Sequence, residues 1–236
     1  MNSSKSFDQF LISIASAEEL LNIERSHYSN PPKSEHIKAV CGLRGGAAVL
    51  MVAAFENFLR QVFEECLIEL SLPHVNIEFH KLPDRMQVQS IYASLEMASQ
   101  GPKYQESKKI DRLSAIERAC RVILSNKINP EAFCETKSSP NSKTVGDMFK
   151  NVDISDIFVV IKPAFEKKWK KAVAHTFLPD KLDEIVQKRH VVAHTADALN
   201  LERRDLKDAC RFLKILALVL NNQLQSHVAK TIKSCK

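Results

Sequence analysis

Apolar residues recur at helical spacing along most of the chain. Phe7, Leu11, Ile14, Ala15, Leu20, Leu21 and Ile23 form one stripe after Ser6. Ser6 with Gln9 three residues on has the form of a capping box, so the first helix is predicted to start there. It is predicted to end before Asn30-Pro31-Pro32, because proline pushes the preceding residue out of the α region. A long helix is predicted from about Glu35 to Ser71. Its stretch Ala47–Phe55 is apolar nearly all round, which places it at the centre of the core. Gly45-Gly46 marks a place where this helix bends or another helix comes close. Residues 72–83 read as irregular or weakly extended. Asp84–Ser99 and Ser107–Asn126 read as amphipathic helices separated by Gln100-Gly101-Pro102.

Residues 129–147, NPEAFCETKSSPNSKTVGD, are the clearest loop, read as a surface insertion rather than a linker between domains. Thr144–Asn151 is expected to form a short helix, while the β-branched run Ile154–Ile161 fits either a strand or a buried helix. After Leu178-Pro179, Asp180 reads as a helix N-cap with Asp183 and Glu184 in the first turn, and Leu182, Ile185, Val186 and Val192/Ala193 supply the buried stripe. After a break near Ala198–Leu201, one helix is predicted from Arg203 to about Ile232, with Leu206, Ala209, Cys210, Leu213, Leu216, Ala217 and Leu220 on one face. The sum is an all-α antiparallel helical bundle with irregular loop insertions, a single domain over residues 1–236.

Composition agrees with that class. A chain of 236 residues buries roughly 70–75% of its unfolded surface and requires no disulfide or metal as a staple. At 44% hydrophobic and 26% charged it is of ordinary globular make-up, and five glycines are too few for Gly-rich phosphate loops or a turn-rich β-sandwich. Six cysteines lie far apart with no CxxC pair, the pattern of free thiols in a reducing compartment. MNSSKSFDQF has no signal-peptide core, and Ala47–Phe55 falls short of the roughly 20 apolar residues a membrane span requires. A soluble, cytoplasmic protein with no membrane partner is the expectation. The net charge of +6 permits a polyanionic partner without demanding one.

The segment Lys188-Arg189-His190-Val191-Val192-Ala193-His194-Thr195 carries the most chemistry. His190 and His194 share a helix face, whereas Arg189 and His194 lie about 140° apart on an ideal helix. Spacing alone leaves four roles open: solvated residues at a helix end, a His-x3-His metal pair lacking a third ligand, part of a nucleophilic site lacking a placed Cys or Ser, or metal-free acid–base chemistry on a phosphodiester. In the last, an imidazole exchanges a proton near neutrality and a guanidinium stabilises charge on the phosphoryl oxygens. Glu56, in the apolar setting Val52-Ala53-Ala54-Phe55, is a candidate for holding Arg189 or His190, with Arg44 and Arg60 as further candidates for a supporting role. Lys162–His175 holds five lysines and one glutamate around Trp169, a pattern that fits either a solvated helix or a phosphate-tracking, base-stacking surface. Gly42-x-x-Gly45-Gly46 lacks the GK[S/T] ending of a P-loop.

Arg189-His190-x3-His194 resembles the R-[N/D/H]-x-x-x-H signature of HEPN ribonucleases. The surrounding LPDKLDEIVQKRHVVAHTADALNLERRDLKDACRFL, and LRGGAAVLMVAAFENFLRQVF with Glu56 at the acidic position, are similar to the family's helices, most of all those of the RiboL-PSP type. The resemblance covers residues 35–71 and 144–228. It implies a homodimeric endoribonuclease with a composite cleft, needing no cofactor and no metal. It further implies attack by a ribose 2′-OH to leave a 2′,3′-cyclic phosphate and a 5′-OH, in a toxin–antitoxin, phage-defence or RNA-processing setting with an antitoxin or other regulatory partner. On that reading His194 is the general acid or base, Arg189 stabilises the transition state and His190 orients the site or shuttles a proton. Glu56 supports them, and Lys167, Lys168, Trp169, Lys170, Lys171, Arg203 and Arg204 contact RNA. The alternatives are a non-catalytic HEPN-like module that binds RNA, nucleotide or protein, and a helical adaptor whose motif is accidental.

Overall fold

In the computed structural model, residues 4–72, 75, 77–99, 113, 114, 117, 120, 121, 124, 125, 127–134, 136, 139–195, 198 and 200–235 are described. Seven α-helices account for most of them, and no strand occurs among them: α1 Lys5–His27, α2 Ile37–Ile68, α3 Asp84–Ser99, α4 Ser142–Asn151, α5 Ile157–Trp169, α6 Phe177–Thr195 and α7 Arg203–Ser234. The all-α reading holds. The run Ile154–Ile161 is neither a strand nor helical throughout: residues 154–156 lie outside the helix, which starts at Ile157, with Ile157, Ile161 and Phe165 burying one face of α5 at helical spacing. The expected helix over Ser107–Asn126 lies mostly outside the described residues, as does Gln100-Gly101-Pro102; its described members Leu113, Ser114, Glu117, Cys120, Arg121 and Leu124 are helical. The 129–147 segment carries a 3-10 turn at Pro130–Phe133, with Ala132 and Phe133 buried, and the start of α4.

The chain divides into two compact units. The first comprises residues 1–59, 136–145 and 158–222. Within it α1 starts at a cap two residues earlier than the sequence suggests: Ser4 Oγ, not Ser6, accepts the Phe7 N–H at 3.1 Å and donates to Asn221 Oδ1 at 2.7 Å. Phe7, Phe10, Ile14, Ala17 and Leu21 then face the first part of α2, with Phe10 and Phe58 rings 5.2 Å apart. Contacts from Arg203 to Glu24, Lys214 to Glu18 and Asn221 to Ser4 run α7 antiparallel to α1. The second unit, residues 60–135, 146–157 and 223–236, has its own core, in which Phe63 meets Phe149 edge-on at 5.0 Å.

By length and composition α2 is apolar enough to cross a membrane, a property the short run Ala47–Phe55 did not suggest. Ala47, Ala48, Met51, Val52, Ala54 and Phe55 are buried against protein. The run is not enclosed on all sides, however: Val49, Leu50 and Ala53 are exposed.

The two glycines in α2 serve a close approach. A Cβ on Gly45 would lie 3.0 Å from Val192 Cγ1 and 3.5 Å from Ala198 Cβ, and one on Gly46 3.2 Å from Leu20 Cδ1. A Cβ on Gly42 would meet nothing within 4 Å. Gly42→Ala is therefore expected to stabilise the protein by about 1 kcal/mol through helix propensity. Gly45→Leu is expected to destabilise it by about 1–3 kcal/mol through overpacking against α6. Shifts of the denaturation midpoint in opposite directions would show this; equal shifts would refute the close approach.

Candidate active site

The motif lies on the last two turns of α6, and the first turns fix its position. Leu182, Ile185 and Val186 are buried, and Lys188 is tied to Glu184 at 2.7 Å and to Asp205 of α7 at 3.1 Å. Burial alone would lower the Lys188 pKa, but these two carboxylates outweigh it and hold the ammonium above its ordinary value. Lys188 is thus a strut between α6 and α7. The helix starts earlier than expected: Asp180 is in its first turn rather than at the N-cap, and its N–H bonds Thr176 O at 3.0 Å. Asp183 instead accepts from the Ser142 N–H and hydroxyl, both at 2.7 Å, joining α6 to the start of α4. Val192 is half-buried and Ala193 exposed, so the buried stripe ends before the motif does.

Regular helix continues through Thr195. His190 and His194 accordingly stand on one exposed face with ring centroids 4.3 Å apart. Arg189 leaves α6 in another direction. It is half-buried, with Nη2 3.9 Å from Glu56 Oε2, a charge pair longer than a direct hydrogen bond. Glu56 Oε1 accepts from Thr136 Oγ1 at 3.0 Å. Glu56 therefore stands where the sequence suggested, beside Arg189. Thr136 was not legible: it lies in the segment read as loop, and no local pattern marks it.

Other expected site residues are distributed differently. Arg44 is engaged by Glu24 and by the turn after the motif. It is buried, with Nη2 2.7 Å from Glu24 Oε1 and Nη1 2.9 Å from the Leu201 carbonyl. Arg203 is likewise turned inward, with Nη2 donating to Glu24 Oε1 at 3.0 Å and to the Tyr28 carbonyl at 3.1 Å. Its guanidinium is occupied by the fold rather than presented to RNA, whereas Arg204 is exposed. Arg60 is also exposed. Lys167, Lys168, Lys170 and Lys171 are exposed at the end of α5. Trp169 is not an open stacking platform, because Phe165, Phe177 and Phe212 surround it at 5.6, 6.1 and 6.5 Å and the Arg211 guanidinium lies 4.4 Å over its ring. Among the described residues, no group of three or more His, Cys, Asp or Glu side chains is placed to hold a metal ion.

A family model described as RiboL-PSP-HEPN matches residues 12–226, nearly the whole length. The chain belongs to the RiboL-PSP-HEPN family. The match takes in α1 and the middle of the chain as well as the two segments whose residues carry the resemblance. No curated protein and no solved structure matches the chain. HEPN membership suggests a nuclease or other RNA-related function, in a class of domains that commonly bind RNA and dimerise.

Proposed function

We propose that this HEPN protein is a cytoplasmic, metal-independent endoribonuclease that works as a homodimer. The observation that carries this reading is the divergence of the motif on a regular helix: His190 and His194 form an exposed imidazole pair while Arg189 is drawn aside to Glu56. One protomer offers proton-transfer groups on one side and a charge-stabilising group on another. A second copy, packed with its α6 against the first, supplies an Arg189 to each His194 and completes a cleft. His194 then takes the proton from a ribose 2′-OH or gives one to the leaving 5′-oxygen, and His190 relays or orients. Arg189 stabilises the charge that grows on the phosphoryl oxygens. The products are a 2′,3′-cyclic phosphate and a 5′-OH. The setting is toxin–antitoxin, phage defence or RNA processing, with a regulatory protein covering the cleft.

The test is cleavage of bulk tRNA and a structured RNA in EDTA, with end-group analysis of the products. Cyclic-phosphate ends, lost in both Arg189→Ala and His194→Ala, support the assignment. Cleavage that persists in both variants refutes it, and cleavage abolished by EDTA assigns the chemistry to a metal.

Glu56 is expected to act on Arg189 as a positioning residue. Glu56→Gln should keep the fold and the Thr136 contact but remove the charge that draws Arg189, lowering kcat by roughly tenfold to a hundredfold with little change in KM. An equal loss in a Glu56→Gln/Arg189→Ala double variant and in Arg189→Ala alone would confirm that both act through one group. Additive losses would separate them.

A further inference from the structure

A cleft of about 610 Å³ opens between α1 and α7, on a different part of α7 from the turn that follows the motif. That volume is in the range of small-ligand sites. Its floor holds the buried Leu21 and Cys210. Lys207, Arg211 and Lys214 wall it from α7, spaced four and three residues apart so that all three share a helix face, and Glu18 and Asn22 wall it from α1. We propose that this cleft binds the sugar–phosphate backbone of single-stranded RNA and, with the lysines at the end of α5, forms a track along the substrate strand. The inference rests on the RNA reading above and adds the path by which the strand is held.

Three features favour a phosphate backbone. The first is the state of the cations. Lys207 makes no ion pair among the described residues, and Lys214 is held by a single acid, Glu18, at 2.6 Å. Arg211 spends one of its donors on the Trp169 carbonyl at 3.1 Å and lies over the indole, which fixes its plane. A guanidinium so held, with its other donors uncommitted among the described residues, matches a phosphate's paired oxygens without losing further rotamer freedom.

The second is continuity. The carbonyl that Arg211 grips belongs to Trp169, flanked by the exposed Lys167, Lys168, Lys170 and Lys171. Glu166, the one acid in that segment, is used internally: its Oε1 accepts from Lys162 Nζ at 2.7 Å and from the Val173 N–H at 2.9 Å. The lysine cluster and the cleft thus meet at Arg211. A line of cations along two elements fits a repeating polyanion better than a single phosphate ion.

The third is the floor. Leu21 and the buried Cys210, whose thiol burial and then the nearby Glu18 push up to about 12, carry no charge, so Glu18 is the one anion among the residues that line the cleft. Trp169, closed to bases by its aromatic neighbours, contributes by orienting Arg211 rather than by stacking.

Binding of a 5′-labelled single-stranded oligoribonucleotide to full-length His194→Ala protein, followed by fluorescence anisotropy over a range of salt, tests the proposal. Lys207→Gln with Arg211→Gln is expected to weaken binding by about tenfold and to reduce the salt slope by about 0.7 for each cation removed. Glu18→Gln is expected to tighten binding roughly threefold, because it removes an anion from the wall and releases Lys214. A misfolded variant does not bind more tightly, so the opposite signs separate the proposal from loss of structure. RNA binding left unchanged by both Lys207→Gln and Glu18→Gln overturns the track, and wild-type cleavage would in that case leave the nuclease reading standing. Groove-dependent binding without any wild-type cleavage supports the track and overturns the nuclease reading. Failure to bind RNA, with poly-glutamate bound instead, overturns the track in favour of an acidic protein partner.

Discussion

His194→Ala is expected to lower RNA cleavage by about 10²–10⁴-fold with no loss of folding, the range for a well-placed acid or base. The expectation of intact folding follows from position. His194 is exposed at the end of α6 and contacts the His190 ring. Thermal and denaturant midpoints of the variant should match wild type within about 0.5 kcal/mol, as for surface substitutions. Arg189→Ala should remove activity comparably, and Arg189→Lys should restore only part of it, since lysine keeps the charge without the planar fork. The divergence of Arg189 and His194 around α6 allows a sharper measurement. Mixed Arg189→Ala and His194→Ala chains, each inactive alone, are expected to regain activity, because one cleft of the mixed dimer would then hold an intact Arg189 and an intact His194. No recovery after verified subunit exchange would place both residues' action within one protomer and refute the composite cleft.

The second large effect is on the fold. Glu24→Ala is expected to cost about 3–5 kcal/mol, the penalty for removing one partner from a buried ion pair. Glu24 has no exposed side-chain surface and faces both Arg44 and Arg203. Its loss strands two guanidinium groups, of which Arg44 is itself buried. For a chain of this size the loss appears as a fall in melting temperature of roughly 10 °C. The part-exposed pair Lys214–Glu18, which water still screens, should cost no more than about 1 kcal/mol when broken, which makes it the control. The cluster also carries a pH signature. Burial alone would raise the Glu24 carboxyl, but the hydrogen bonds from Arg203 and Arg44 outweigh it and hold the group below the usual carboxylate range. A carboxyl depressed in the folded state contributes stability that is fully present above its unfolded-state value of about 4.3 and is lost as pH falls from there towards the folded value. Wild type should therefore lose stability in that acid window, and Glu24→Gln should show a flatter profile there. Identical profiles would mean that Glu24 is not the depressed group. Because Arg44 also binds the Leu201 carbonyl, Glu24→Ala should loosen the turn that follows the motif.

Much of the architecture was legible in residue spacing. The stripe along α7, the proline stop before Asn30, the bounds of α3 and the length of α2 all follow from local rules, because a helix is specified by side chains three and four residues apart. The stripe along α1 was legible only in part: Phe7, Ile14 and Leu21 are buried as expected, but Leu11, Ala15 and Ile23 are exposed, and Phe10 and Ala17 complete the buried face. The motif itself was legible as Arg189, His190 and His194, and Glu56 was legible as its partner because a carboxylate set among apolar residues demands a cation. Starts of helices were less so. Ser4 rather than Ser6 caps α1, since the decisive contact is with Asn221 at the far end of the sequence. Ile157–Ile161 became a helix because Ile157, Ile161 and Phe165 share one buried face, which a run of that length cannot declare by itself.

What the sequence determined by itself is the class of fold and the chemical inventory: helices, two imidazoles, a guanidinium and a surplus of lysine. Which charges reach solvent was decided by tertiary structure alone. In a linear reading Arg44 is a candidate to support the motif and Arg203 a candidate RNA contact, yet both converge on Glu24 because three distant elements bring one carboxylate between them. Trp169 has the composition of a stacking platform, yet it is half-buried against Phe165, Phe177 and Phe212 because packing an indole on aromatic rings is worth more than leaving all of it in water. Charge balance and burial depend on neighbours that sequence proximity does not name. That is why the basic surface passes through Lys207, Arg211 and Lys214 and leaves Arg203 to the core.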